Sequence, residues 1–265
     1  MRHLAFLLEY DGSAFAGSQL QRAEVRTVQR ELETAWHAFA AESARVSFAG
    51  RTDAGVHATG QVATLATAVA HDPRTCRDAL NHYLPADLAI RAVTPVAPGF
   101  DPRRHATSRV YRYAIEDGRT RSPLTRTLAW QLRDPLDLAA MTEATRTLPL
   151  DERDWAAFAG PTPAGYPTIR RLHARDLRRT APHRLEFTIA ASGFLPHQVR
   201  RTVGALVRVG QGALTPATFA ALIDAPAGSA GPTAPPHGLT LLQVHYPTGA
   251  VDWAAGGAAD GTEEF

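Results

Sequence analysis

The sequence contains no lysine: all 28 of its Lys and Arg positions are arginine. This absence excludes enzymes that form a Schiff base or bind pyridoxal phosphate through lysine, and it excludes a P-loop, which needs a Gly-Lys-Ser/Thr sequence. Cysteine occurs once, at Cys76. A single cysteine excludes a disulfide framework and a thiolate zinc site, and it favours a reducing compartment.

Long apolar runs are also missing. No run approaches the roughly 18 residues that indicate a membrane span, and the first residues lack the charged, apolar and small-residue order of a signal peptide. We therefore expect a soluble, cytoplasmic protein without membrane association. At 265 residues and 45% hydrophobic composition, the chain can bury a sizeable core and form two domains.

Charge is unevenly distributed, although the formal net charge is only +2. Residues 168–208 contain nine arginines against two acidic residues, a net charge of +7. Arginine in place of every lysine is equally typical of a GC-rich genome, so the clustering is the better indication of RNA binding. The clustered arginines are Arg170, Arg171, Arg175, Arg178, Arg179, Arg184, Arg200, Arg201 and Arg208. Residues 248–265 carry four acidic residues and no base, and their Gly- and Ala-rich composition predicts a disordered tail.

Hydrophobic periodicity and turn signals predict strands and helices in both halves of the chain. In the first half they predict a strand at Leu4–Tyr10, a helix after the N-cap Thr27, a helix from Asp72-Pro73 to Leu84, and a strand through Leu88 and Ile90. In the second half they predict a strand at Arg109–Ile115, a helix at Leu138–Leu148, a hairpin from Ile169 to Ile189 that turns near Ala181-Pro182, a helix ending at Gly210, and a last strand through Leu239 and Leu241.

We predict from this order an α+β protein of two similar, α/β-sandwich-like halves with antiparallel or mixed sheets and an active-site cleft between them. The predicted domains are residues 1–97 and 109–247, joined by a connecting segment at 98–108 and followed by the acidic tail at 248–265. The helix that ends at Gly210 is expected to have Arg200, Arg201 and Arg208 at its polar border.

The loop from Gly50 to His57 has the densest set of reactive side chains, since it combines Arg51, Asp53 and His57 in eight residues. Apolar residues precede it and an alternating segment follows it, which predicts a tight connection between two strands. A polar loop held by a rigid sheet is a common setting for a functional site.

Several roles are open to Asp53 from the residues alone. A neighbouring guanidinium keeps a carboxylate ionised, and an ionised aspartate can act as a nucleophile. With a second carboxylate, Glu9 or Asp11, it could instead form a glycosidase pair. It could also simply cap the turn and pair with Arg51.

The whole chain resembles the tRNA pseudouridine synthase A family, whose members isomerise uridines 38 to 40 in the tRNA anticodon arm. Its most specific motif is the loop Gly50 to His57, followed by Thr59-Gly60-Gln61-Val62. Weaker matches occur in the expected order at Leu8 to Gly12, Asn81, Leu84-Pro85, Asp87 to Ala89, Phe100, Arg103, Ala106, Arg109, Tyr111 to Tyr113, Phe194-Leu195, His197, Val199-Arg200, Gly204, Val209-Gly210, Gly238-Leu239 and Leu241.

The resemblance implies a role for each matching site residue. Asp53 would be the catalytic nucleophile, Arg51 would help to hold the flipped-out nucleotide, and Tyr111 would stack on uracil. Arg200 would pair with Asp53, and Leu239 would pack on the base. Stacking of this kind replaces part of the base stacking that is lost when a uridine leaves its helix. Five further arginines are expected to contact RNA, namely Arg103, Arg109, Arg170, Arg171 and Arg201.

The implied reaction breaks the N1–C1′ bond, turns the uracil and joins C5 to C1′, with no metal or other cofactor. Asp53 could attack C6, attack C1′ or abstract a ribose proton, and the sequence leaves these routes open. The resemblance also implies a homodimer that binds the anticodon arm of tRNA. A non-catalytic RNA-binding protein and a glycoside hydrolase remain as alternative functions.

The chain departs from the family pattern in three places. It has Gly17-Ser18-Gln19 where the family usually has Gly-Trp-Gln, and Asp101-Pro102 where His-Ala usually precedes Arg103. Pro196 and Gln198 flank His197 in place of more usual residues. None of these changes affects Asp53, Tyr111 or Arg200.

Overall fold

The computed structural model describes residues 1–22 and 25–254. They divide into two compact units, one formed by Met1–Thr107 with the chain from Gln243 onward and the other by Ser108–Leu242. Of the predicted acidic tail, residues 248–254 contain turns only, and residues 255–265 lie outside the described residues. The domain limits proposed from the sequence stay predictions.

The sheet of the first unit is centred on β1, Arg2–Tyr10. It pairs antiparallel with β3 (His57–Thr67) on one side and with β4 (Leu88–Val96) on the other, and the two-residue β2 (Ser47–Phe48) pairs with β3. The predicted strand at Leu4–Tyr10 is confirmed and begins two residues earlier. Strand β3 is buried at nine of its eleven positions, which gives the loop before it a rigid support.

Two capped helices, α1 (Val28–Ala40) and α2 (Pro73–Tyr83), complete this unit. The Thr27 side chain accepts a hydrogen bond from the Arg30 N–H, and the Asp72 side chain accepts from two N–H groups of α2, so both predicted N-caps are confirmed. Trp36 of α1 is fully buried and meets Phe6 of β1 edge to face, with ring centroids 6.0 Å apart.

The sheet of the second unit is built around β5, Ser108–Asp117. It pairs antiparallel with β9 (Arg184–Ala191) and parallel with the three-residue β6 (Trp130–Leu132). Strand β8 (Ile169–Ala181) forms the predicted hairpin with β9, and the short β7 (Glu152–Asp154) pairs with β8. Strands β6 and β7 escaped prediction because three residues are too few to show an alternating pattern.

The second unit has three α-helices among its described residues: α3 (Leu138–Thr147), α4 (Gln198–Gly210) and α5 (Pro216–Ala221). Ten of the thirteen residues of α4 are buried, and the other three are Arg200, Arg201 and Arg208, so the predicted polar border of this helix is confirmed. The six-residue α5 was not predicted. The last strand, β10 (Leu239–His245), is confirmed with Leu239, Leu241 and Val244 buried.

The predicted α+β class is confirmed. Of the strand pairings described above, that of β5 with β6 is parallel and the others are antiparallel. Within residues 1–22 and 25–254, no helix is both long enough and apolar enough for a membrane span.

Candidate active site

The loop that holds Asp53 connects β2 to β3 and lies in the first unit, as the sequence predicted. His57 is already the first residue of β3, so the irregular part is residues 49–56. Asp53 itself is half-buried, Arg51 and Ala54 are exposed, and Thr52 is buried. The carboxylate therefore sits on an accessible loop whose preceding residue belongs to the core.

Thr52 is held at all three of its polar atoms. Its main-chain N–H donates to Ser18 Oγ at 2.9 Å, and its carbonyl oxygen accepts from the Ser18 N–H at 3.1 Å. Its Oγ1 lies 2.8 Å from the Tyr10 hydroxyl. Because the next residue in the chain is Asp53, these bonds fix the main chain from which the candidate nucleophile projects.

Tyr10 and Gln61 form a buried polar layer beneath the loop. Gln61 Nε2 donates to the Gly50 carbonyl at 2.8 Å and lies 3.4 Å from the Tyr10 hydroxyl oxygen. Burial raises the pKa of Tyr10 to about 12, so its hydroxyl keeps its proton at neutral pH. The Tyr10 hydroxyl thus contacts both Thr52 Oγ1 and Gln61 Nε2, which links the loop to β1 and β3.

The segment from Gly12 to Ser18 approaches the loop so closely that glycine is required. Gly17 has a φ of +102°, and a Cβ there would lie 2.8 Å from the Thr52 carbonyl oxygen. A Cβ on Gly12 would lie 2.0 Å from the Val56 carbonyl oxygen. On the loop side, Gly55 has a φ of +79°, and its N–H donates to the Phe15 carbonyl at 3.2 Å.

Helix α1 in turn holds this segment. The first two N–H groups of the helix, on Val28 and Gln29, donate to the carbonyls of Gly17 and Ser18 at 3.3 and 2.9 Å. These N–H groups have no partner inside the helix, so the segment satisfies them while the helix fixes the segment. The result is a continuous set of contacts from α1 through Ser18 and Thr52 to Asp53.

His57 and Asp11 secure the other end of the loop. The Gly12 N–H donates to His57 Nδ1 at 3.0 Å, and the same nitrogen lies 3.1 Å from Asp11 Oδ1. Burial alone would raise the pKa of Asp11, but hydrogen bonds from Ser13 and the proximity of His57 hold it below its ordinary value. His57 is buried, and its contacts with Gly12 and Asp11 fix this end of the loop.

The two carboxylates considered for a glycosidase pair have other partners. Asp11 caps the turn Gly12–Ala14 by accepting from the Ser13 N–H at 2.9 Å. Glu9 lies 3.5 Å from Arg91 of β4. Both carboxylates serve local structure, which weakens the glycoside hydrolase alternative.

The residues expected to bind the base belong to the second unit. Tyr111 lies on β5 with 8% of its surface exposed, and its ring meets Phe194 edge to face at 5.3 Å between centroids. Arg200 is half-buried on α4, and its Nε donates to the Ala234 carbonyl at 2.8 Å. Leu239 is buried at the start of β10.

The arginines expected to contact RNA differ in accessibility. Arg103 and Arg171 are exposed. Arg170 and Arg201 are half-buried, and each donates to a neighbouring carbonyl, that of Pro167 at 3.0 Å and that of Gly228 at 3.0 Å respectively. Arg109 is buried and donates to the Ser192 carbonyl at 2.7 Å, so its environment is that of a structural arginine.

Two of the departures from the family pattern have a local structural role. Ser18 is fully buried and holds Thr52, a role that sequence reasoning missed because the two residues are far apart in the chain. Asp101 Oδ1 accepts from the N–H groups of Arg103 and Arg104 at 2.8 and 3.0 Å. Burial alone would raise the pKa of Asp101, but these N–H bonds outweigh burial and hold the pKa below its ordinary value, so the acid serves as a turn cap.

Groups of three or more His, Cys, Asp or Glu side chains suited to a metal ion are absent from the part of the chain that the structure describes. On the loop itself, the Asp53 carboxylate is accompanied by the exposed guanidinium of Arg51, above a buried framework of neutral hydrogen bonds.

Comparison with known proteins gives a consistent result. A family model described as tRNA pseudouridine synthase matches residues 7–103 and 152–247. The chain is 44% identical over 257 residues to tRNA pseudouridine synthase A of Chloroflexus aurantiacus, covering 96% of this chain and 92% of that protein. It is 44% identical over 247 residues to tRNA pseudouridine synthase A of Geobacter sulfurreducens, covering 93% and 100%.

A third relative, tRNA pseudouridine synthase A of Roseiflexus sp. strain RS-1, is 40% identical over 258 residues, covering 95% of this chain and 94% of that protein. Among solved structures, a chain of a Cbf5-Nop10-Gar1 complex matches with a TM-score of 0.31 at 10% identity, covering 77% of this chain and 54% of the other. A likeness at that level carries no structural argument.

Proposed function

The chain belongs to the tRNA pseudouridine synthase family, an isomerase family acting on uridine in tRNA, and we propose that it modifies positions 38, 39 and 40 of the anticodon arm with Asp53 as nucleophile. The observation that carries the assignment of Asp53 is its setting. It is the half-buried carboxylate that directly follows Thr52, whose three polar atoms are all bonded. Such a framework holds a reacting group in place before the substrate arrives.

The reaction is an isomerisation, so its atoms and electrons balance within the substrate. The N1–C1′ bond breaks, the uracil turns, a C5–C1′ bond forms, and the proton on C5 is lost while N1 gains one. Asp53 assists by attack on C6, by attack on C1′ or by abstraction of a ribose proton, and all three routes use the same accessible carboxylate.

We assign substrate-binding roles to four further residues. Arg51, which is exposed on the same loop, holds the flipped-out nucleotide through its phosphate. Tyr111 stacks on the uracil, Leu239 packs on it, and Arg200 pairs with the Asp53 carboxylate. An aromatic ring and an aliphatic side chain replace the stacking that a uridine loses when it leaves the helix.

The partner of the enzyme is tRNA, bound through the anticodon arm, and a cytoplasmic location follows from that substrate. Arg103 and Arg171 are the arginines best suited to phosphate because they are exposed. Arg170 and Arg201 come next, since they are half-buried, and Arg109 supports the fold of β5 instead. We also propose a homodimer, which sedimentation of the purified protein would detect as twice the monomer mass.

The proposal is tested by Asp53→Asn in an assay that measures tritium release from tRNA labelled at uracil C5. The substitution keeps the shape of the side chain but removes the carboxylate, so release should fall to background while tRNA binding persists. Asp78→Asn, at an exposed carboxylate of α2, is the matched control and should leave release unchanged.

Wild-type release by the Asp53→Asn variant would refute the nucleophile assignment. Binding of tRNA by the wild-type protein with no release of label would support the non-catalytic RNA-binding alternative. Free uracil among the products would support glycosidic hydrolysis instead.

A further inference from the structure

A groove with a volume of about 490 Å³ lies beside the candidate catalytic loop, within the first unit. Three arginines line it: Arg45, Arg51 and Arg103. They come from separate parts of the chain, since Arg45 precedes β2, Arg51 lies in the loop, and Arg103 follows β4. Their convergence is thus a product of the fold, and the sequence pattern gave no sign of it.

The groove has an excess of positive charge. Against three guanidinium groups it contains one carboxylate, that of Asp101, which already accepts two main-chain N–H groups. Arg45 is 68% exposed and lies 3.5 Å from Glu33. The other oxygen of Glu33 accepts from the Val46 N–H at 3.0 Å and from Gln29 Nε2 at 2.7 Å, so the acid is engaged with the protein itself.

The uncharged part of the groove lining contains three polar residues, Gln19, Gln29 and Ser47, and an apolar part. Phe48 of β2 is half-buried and lines it together with Leu20 and Val46. Cations beside a partly exposed aromatic ring are features that bind single-stranded nucleic acid, in which phosphates contact arginine and bases stack on aromatic rings. An inorganic anion would use the cations alone and leave the Phe48 ring without a role.

The groove also lies close to the candidate nucleophile, Asp53, because Arg51 lines it. Arg51 is two residues from Asp53, and two residues of extended chain span at most about 7 Å. Because Arg51 is proposed to hold the phosphate of the flipped-out uridine, the rest of the groove lies where the neighbouring nucleotides would bind.

We propose that this groove binds the tRNA nucleotides flanking the target uridine. Arg45, Arg51 and Arg103 contact the phosphates, and a flanking base stacks on Phe48. The proposal rests on the proposed function for the identity of the RNA, and it adds Arg45 and Phe48 to the residues that recognise it.

The test measures tRNA affinity as a function of salt, with all substitutions made in the Asp53→Asn protein so that no turnover occurs. Arg45→Gln should weaken binding and reduce the slope of log K against log salt by about 0.7–0.9, the contribution of one phosphate contact. Phe48→Leu should weaken binding about fivefold or more through lost stacking and leave the salt slope unchanged.

Arg91→Gln is the matched control. Arg91 is 62% exposed and lies 3.5 Å from Glu9, so it resembles Arg45 in exposure and in its ion pair but lies on β4 outside the groove lining. Its substitution should leave both the affinity and the salt slope at the parent value. Equal effects of Arg45→Gln and Arg91→Gln, or no effect of either, would overturn the proposal.

The same variants with Asp53 restored separate this proposal from the proposed function. If tritium is released and Arg45→Gln leaves the KM for tRNA unchanged, the groove assignment fails and the function stands. If no tritium is released but the salt slope responds to Arg45→Gln, the groove binds RNA and the catalytic proposal fails. Arg45 is largely exposed, so its substitution is compatible with folding.

Discussion

At the scale of single residues, Thr52 matters more than its unreactive side chain suggests. Its N–H, carbonyl and hydroxyl are bonded to Ser18 and Tyr10, and both of these partners are buried. A buried, fully bonded residue cannot change its main-chain torsions cheaply, because every bond that it breaks leaves a polar group without water. The main chain that leads into Asp53 is therefore fixed, although the Asp53 side chain remains accessible.

Ser18→Ala tests this role. The substitution leaves the buried Thr52 N–H without its acceptor at a cost of about 1–3 kcal/mol, and the loop relaxes away from its active geometry. We expect kcat to fall on the order of tenfold to a hundredfold. The KM for tRNA should rise by much less, because Arg51 is the one proposed phosphate contact on this loop. Steady-state tritium release measures both constants. Ser43→Ala, at an exposed serine of the same unit, should behave as wild type.

Gly17→Ala tests the close approach of the neighbouring segment. A methyl group at Gly17 meets the Thr52 carbonyl oxygen at 2.8 Å and also forces a residue with a Cβ to adopt a φ of +102°. Gly165 has a φ of +74° with open space around it, so Gly165→Ala carries the backbone strain alone, about 1 kcal/mol. Thermal unfolding and tritium release should show that only Gly17→Ala loses activity. Equal losses in both variants would mean that contact with Thr52 is irrelevant.

At the scale of elements, a buried carboxylate ties the second unit together. Asp117, the last residue of β5, accepts two hydrogen bonds from Arg179 of β8, each 2.8 Å long. It also accepts from the Leu136 N–H at 2.9 Å, just before α3. Burial raises the pKa of Asp117, but the Arg179 bonds and the Leu136 N–H outweigh burial and lower it. One side chain thus joins two strands and the start of a helix.

Asp117→Asn should destabilise the protein by about 3 kcal/mol, because it leaves Arg179 without its partner charge. The pKa of Asp117 is lowered in the folded state, so its ionised form stabilises the fold at every pH above the unfolded value of about 3.9. That contribution is lost as the pH falls through the folded pKa, so the difference between the two proteins should be constant at neutral pH and shrink below about pH 4. Urea unfolding across this range measures it.

Asp176→Asn provides the control, on β8, the strand that holds Arg179. Asp176 is 61% exposed and lies 3.9 Å from Arg178, so its pair is screened by water. Its removal should change the free energy of unfolding by less than about 0.5 kcal/mol. A pH-independent difference for Asp117→Asn would show that packing, and not the ion pair, causes its effect.

At the scale of the whole molecule, the distribution of exposed arginines determines where the protein binds RNA phosphates. We expect the affinity for tRNA to fall with salt, with a slope of about −0.7 to −0.9 for each phosphate contacted. Arg171→Gln should reduce this slope because Arg171 is exposed. Arg109→Gln should lower the Tm instead, because Arg109 is buried and bonded to the Ser192 carbonyl. Filter-binding titrations and thermal unfolding separate the two, and a salt-independent affinity would contradict phosphate binding.

The sequence by itself determined the α+β class, most of the helices and strands, and the loop that holds Asp53. These features are local: caps such as Thr27 and Asp72, alternation in β9 and the glycine-bounded loop all depend on residues that are close in the chain. The strands β6 and β7 and the helix α5 were not predicted, because they are only three to six residues long. Segments this short form through packing against neighbouring elements.

Only the tertiary structure decided what surrounds the loop. Ser18 meets Thr52 across 34 positions, and Arg45, Arg51 and Arg103 meet at one groove from three parts of the chain. The tertiary structure also decided that Arg109 is buried while Arg171 is exposed, although the sequence places both arginines in predicted strands. Periodicity specifies which face of an element is buried, but contacts between distant residues depend on how the elements pack, and that information is not local.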